Sequence, residues 1–123
     1  MLKFSMAFNI GKTNEERIEA FKMYQNAFNA KKVSESTPPD GNDLHIMMEI
    51  NGLNILLAPG GKVEKTIENA MCCEFLFDNE NDLHKAYNIL IQNCLSSSIG
   101  SYPWAPIGVL VTDKFGICWW LRT

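Results

Sequence analysis

With 123 residues, 46% of them apolar, the chain has the length of one compact domain with a real core, since roughly 100 to 150 residues is the commonest domain size. Eleven Lys and Arg against fourteen Asp and Glu give a net charge of −3. The cations are scattered, so no basic patch is offered to a phosphate backbone and nucleic acid is not an expected partner. No run approaches ~18 consecutive apolar residues, and the N-terminus lacks a basic region followed by an apolar stretch, so no membrane partner is expected and the chain is read as soluble and cytoplasmic.

Residues 3–10 alternate Phe4, Met6 and Phe8 with Ser5, Ala7 and Asn9, the period-2 pattern of a half-buried strand. Thr13-Asn14-Glu15-Glu16 reads as a capping box that opens a helix over about 14–29, with Ile18, Phe21, Tyr24 and Phe28 at helical spacing. A short strand at 31–36 gives way to Thr37-Pro38-Pro39-Asp40-Gly41-Asn42, a run of turn formers. Strands at 44–50 and 53–58 follow, joined by Asn51-Gly52, the strongest short-range hairpin signal.

The polar stretch from Pro59 to Asn69 separates two halves, and the pattern begins again. Met71–Phe77 is strand-like. Asp78 or Asn79 caps a second helix over about 80–95, whose buried stripe is Leu83, Ala86, Tyr87, Leu90 and Cys94; His84 reads as a surface residue. Ser96-Ser97-Ser98 is expected to end that helix. A short strand at 99–102 precedes a final hairpin of 107–112 and 116–122 with its turn at Lys114-Phe115-Gly116. The order β-α-β-β-β thus occurs twice, giving one domain made of two modules at about 1–60 and 70–123. Cys72, Cys73, Cys94 and Cys118 lie in apolar runs with no C-x-x-C spacing, which predicts buried free thiols and no structural zinc.

The residues Ala20 through Ala30, with Met23-Tyr24 and Phe28-Asn29-Ala30, then His45 in its hairpin strand, Trp104, and Val111 through Trp119 together resemble the vicinal oxygen chelate superfamily, the glyoxalase, bleomycin-resistance and dioxygenase group, and within it the PhnB-like branch. The chain departs from that branch at Asn29, where Gly is expected, and at Ala105, where Gly usually follows the tryptophan. The resemblance implies an α+β fold in which two βαβββ modules form curved mixed sheets around a cleft, and it implies a homodimer. In metal-dependent members, four strand positions supply His and carboxylate ligands to a divalent ion. Carried onto this chain those positions fall on Ser5, Leu56, Cys72 and Trp120, which cannot supply a hard cation with its oxygen and nitrogen donors. No cofactor is therefore expected. A divalent metal enters only under the alternative of a lyase, isomerase or dioxygenase with a displaced site at His45, Glu49 and Glu74.

The ligand-pocket candidates follow from the strand alternation. His45, Met47 and Glu49 share one face of their strand, with Ile46, Met48 and Ile50 opposite. Cys72 and Glu74 share a face of the first strand of the second half, where a buried carboxylate would need a partner. Ile117, Trp119 and Leu121 are expected under a helix, leaving Cys118, Trp120 and Arg122 on the other face, where Trp120 offers an aromatic wall. Trp104, in Tyr102-Pro103-Trp104-Ala105-Pro106, reads as part of an ordered loop at the cleft mouth. The expected partner is an unidentified small, partly aromatic or amphipathic molecule.

Overall fold

The computed structural model describes residues 2–60 and 70–123, and the chain divides into two compact units, Met1–Glu64 and Lys65–Thr123. The first holds β1 (Met6–Asn9), α1 (Asn14–Phe28), β2 (Lys31–Ser36), β3 (His45–Ile50) and β4 (Leu53–Ala58). Its sheet has the order β1-β4-β3-β2, with β1 parallel to β4 and the other pairs antiparallel. The second holds β5 (Cys73–Leu76), α2 (Glu80–Leu90), β6 (Ser96–Tyr102), β7 (Ala105–Thr112) and β8 (Cys118–Arg122). Its order is β5-β8-β7-β6, again with the first strand parallel to the last. The doubled βαβββ pattern is present as two four-stranded mixed sheets. Of the expected separator, residues 61–69 lie outside the described residues. No described helix is long and apolar enough to cross a membrane.

In the first unit the Thr13 hydroxyl caps α1 by accepting the Glu16 N–H at 3.2 Å, and Glu16 reaches back to the Lys12 N–H at 3.3 Å, one residue beyond the N–H that the reciprocal box would use. The helix ends at Asn29, left-handed at φ 57°. There the Asn29 and Ala30 N–H groups close on the Gln25 and Tyr24 carbonyls, so an asparagine serves where glycine is commoner. The buried stripe keeps Phe21 and Tyr24 of the sequence reading but not Ile18 or Phe28, the latter half-buried. Arg17, Ala20, Phe21 and Tyr24 are buried, while Ile18 is 40% exposed. Arg17 takes this place because its guanidinium donates to the Ile10 and Gly11 carbonyls and to Asn14 Oδ1; its Nε has no acceptor among the described residues. Beneath the helix lie Ile46, Met48 and Ile50 of β3 and Ile55 and Leu57 of β4, all buried. Asn51 and Gly52 both have positive φ, as a type I′ hairpin requires.

In the second unit Asn79 caps α2 through the Asp82 N–H at 2.8 Å, and Leu83, Ala86 and Leu90 are fully buried. The helix stops at Leu90 instead of 95. Asn93 turns left-handed at φ 56°, and the Leu95 N–H donates to the Thr112 carbonyl at 2.9 Å. This starts the β6–β7 ladder in which Ser96 opposes Thr112. Ser96-Ser97-Ser98 is therefore strand, because pairing with β7 satisfies backbone groups that a continued helix would have left to weak helix formers. Cys94 sits half-buried in the turn, not on the helix, and His84 and Tyr87 are half-buried. Trp119 and Leu121 of β8 are fully buried with Val109 and Val111 of β7, as the alternation predicted. The β7–β8 turn is organised by Asp113, itself fully buried, whose carboxylate accepts the Phe115 and Ile117 N–H groups and the Trp119 indole N–H at 2.9 to 3.1 Å.

Candidate functional site

Each sheet has a side covered by its own helix and a side turned away from it, and His45, Met47, Glu49, Glu74 and Trp120 lie on the sides turned away. On β3 the alternation is clean: His45, Met47 and Glu49 are half-buried above Ile46, Met48 and Ile50. Met47 stands opposite Leu56 on β4 and Ser34 on β2. The polar ends of this row are engaged locally. His45 Nδ1 lies 2.7 Å from the Asp43 carbonyl, and Glu49 accepts the Gly52 N–H of its own hairpin at 2.7 Å. A depression of about 350 Å³ at the Glu49 end is lined by Phe28, Asn29, Lys31, Glu49 and Asn51.

The side of the second sheet turned away from α2 differs in kind. Tyr102 and Trp104 stack with ring centroids 5.3 Å apart, and Tyr102 meets Trp120 edge-on at 5.5 Å. Trp104 is 65% exposed and occupies not a loop but the two-residue turn between β6 and β7, where Tyr102 pairs with Ala105. Two glycines make room for this row. Gly100 and Gly108 face each other across β6 and β7. A Cβ on Gly108 would stand inside contact distance of the Trp120 ring and 2.9 Å from Tyr102 Cε2, and one on Gly100 would stand 3.1 Å from the Tyr102 hydroxyl. The rings therefore lie down on bare backbone. Tyr102, Gly100 and Gly108 were not among the sequence candidates, although a lone glycine inside a strand pattern is the signal for such a close approach.

The parallel register of β5 and β8 sets Glu74 opposite Trp120 and Leu76 opposite Arg122. Glu74 is exposed, not buried, and pairs with Arg122 Nε at 3.3 Å; the buried residue of the strand is its neighbour Cys73. Cys72 corrects the sequence reading more sharply. It forms a disulfide with Cys118, while Cys73 and Cys94 remain thiols. Four free thiols were expected from the apolar runs and the lack of C-x-x-C spacing, whereas these two cysteines lie 46 residues apart and only the β5–β8 register brings them side by side.

No family model matches the chain, and no curated protein matches it by sequence. Solved structures do. The PhnB protein from Bacillus cereus matches at a TM-score of 0.75 and 20% identity, with 98% of each chain covered. The fosfomycin resistance protein FosX from Listeria monocytogenes matches at 0.68 and 16%, covering 99% of this chain and 94% of its own. FosX from Mesorhizobium loti matches at 0.66 and 17%, with 100% and 93% covered. The chain has the vicinal oxygen chelate fold. At such identities the likeness carries the fold and not the activity.

The Listeria protein has been crystallised with Mn(II) and sulfate, so the vicinal oxygen chelate fold raises the question of a divalent ion, and the residues here answer it poorly. Of the four positions that the resemblance implies, Ser5 carries a single neutral hydroxyl, Leu56 is apolar, Trp120 offers only an N–H donor, and the Cys72 sulfur is bonded to Cys118 and so is no thiolate ligand. The displaced set fares no better. His45 and Glu49 are four residues apart on one strand, about 13 Å at ~3.3 Å per residue, whereas a metal holds its donors at roughly 2.0–2.6 Å. Glu74 is paired with Arg122. Among the described residues no three His, Cys, Asp or Glu side chains gather closely enough to hold a metal ion.

Proposed function

We propose that this chain is a glyoxalase/bleomycin-resistance-like binding protein that takes a small planar organic molecule without a metal, stacking it on the aromatic row of the second sheet. The observation that carries the reading is the Tyr102, Trp104 and Trp120 row laid over Gly100 and Gly108. An exposed tryptophan held by a stacked neighbour presents a large apolar face already fixed in orientation, so a planar guest gains stacking and apolar burial at small ordering cost. The charged groups beside the row, Glu74 and Arg122, neutralise one another, which favours a guest of little net charge. Ser98 and Leu110 oppose one another across β6 and β7 and are both exposed. They add one hydroxyl and one apolar contact.

Tryptophan fluorescence tests the reading. Titration with a planar bicyclic aromatic should quench emission saturably, equally well with and without a chelator, and Trp104→Ala should weaken binding about tenfold, the ~1.4 kcal/mol expected of a lost stacking partner. An aliphatic compound of equal size that binds as tightly, or binding that disappears with the chelator, would overturn it.

A further inference from the structure

The Cys72–Cys118 disulfide plays no part in the stacking site, and its setting is asymmetric. Cys73 opposes Trp119 and Glu74 opposes Trp120, so one step back along both strands sets Cys72 beside Cys118, their Cα atoms 4.7 Å apart. Cys72 is exposed, just ahead of β5. Cys118 is only 7% exposed, and β7 backs it on one side through Thr112. β5 is an edge strand of four residues, paired within its sheet to β8 alone. A disulfide with one exposed cysteine at a sheet edge is of the labile kind, because exchange needs access to a sulfur. The remaining thiols are poorly placed to compete. Cys73 points to the opposite face of β5, and its burial pushes the thiol up to about 11, so it is protonated at neutral pH. Cys94 belongs to the turn after α2.

We propose that Cys72–Cys118 is a redox-active disulfide whose exchange partner is a low-molecular-weight thiol of the glutathione class, attacking at Cys72. The thiolate of the small molecule bonds to Cys72 Sγ, the S–S bond breaks, and its electron pair leaves on Cys118 Sγ, which takes up a proton. A second small thiolate then attacks the small-molecule sulfur of the mixed disulfide. Cys72 leaves with that bond's electron pair and is protonated. The sum is two small thiols oxidised to their disulfide and one protein disulfide reduced to two thiols, a two-electron balance. Reduction removes the covalent tie between β5 and β8, leaving the edge strand on its ladder alone.

Thiol counting on the whole chain tests this without any substitution. The folded protein is equilibrated with oxidised or reduced glutathione, quenched with an alkylating agent, unfolded and weighed. Two alkylated cysteines per chain, Cys73 and Cys94, are expected after oxidised glutathione, and four after reduced glutathione. In a Cys118→Ser variant the glutathione adduct should map to Cys72. Four alkylated cysteines under both conditions would show that the bond does not form. Two under both would show a structural disulfide closed to exchange. An adduct on Cys73 or Cys94 would place the exchange elsewhere. Each of these results would overturn the proposal.

Discussion

Asp113 is fully buried and its two carboxylate oxygens accept three N–H donors. Asp113→Ala would strand those donors away from water, and each buried orphan costs about 1–3 kcal/mol. A loss of roughly 3 kcal/mol or more is expected in denaturant unfolding, with Trp119 emission altered because its indole N–H loses its acceptor. Cys73 gives a pH effect of known sign. Burial raises its thiol from 9.0 to about 11, so between those values the unfolded chain has released a proton that the folded chain keeps. The stability from this site is complete below pH 9 and falls as pH rises towards about 11. Cys73→Ala should flatten the dependence, as denaturation midpoints at the two ends of that window would show. At this scale the sequence is least informative. Nothing around Arg17 distinguishes a buried arginine from an exposed one, because its acceptors, the Ile10 and Gly11 carbonyls, are backbone atoms common to every residue. The polarity of Glu74 was equally uninformative, since its pairing with Arg122 spans 48 positions.

At the scale of elements, local signals were read well where local chemistry decides. Asn51-Gly52 made its hairpin, Thr13 and Asn79 capped their helices, and the alternation of His45–Ile50 placed each residue on its correct side. The end of α2 was misplaced by five residues because a distant strand decides it. Once Ser96 pairs with Thr112, the serines have a better partner than another helical turn. The glycines of β6 and β7 are the element-scale feature with a functional consequence. Gly108→Ala leaves the backbone conformation accessible but places a methyl group against the Trp120 and Tyr102 rings. Overpacking of this kind costs about 1–3 kcal/mol, so near-ultraviolet circular dichroism should lose its aromatic signal and the planar guest should bind more weakly. An unchanged spectrum would mean that the rings do not rest on that glycine.

For the whole molecule, the doubled βαβββ order was legible because each unit repeats the same run of periods, apolar stripe and turn residues even though the two share little sequence. The disulfide was not legible, since it depends on the parallel register between β5 and β8. The aromatic row was legible in part. Trp104 and Trp120 were candidates from their positions, whereas Tyr102, which links them, shows its role only once the β6–β7 turn folds it between the two. The positions where the resemblance implies metal ligands hold Ser5, Leu56, Trp120 and a disulfide-bonded Cys72, which is why the account expects no tightly held ion. The most direct test of this account is the divalent metal content per chain, by mass spectrometry of protein purified without chelator or nickel affinity. The account predicts no stoichiometric ion, and one tightly held ion per chain would contradict it.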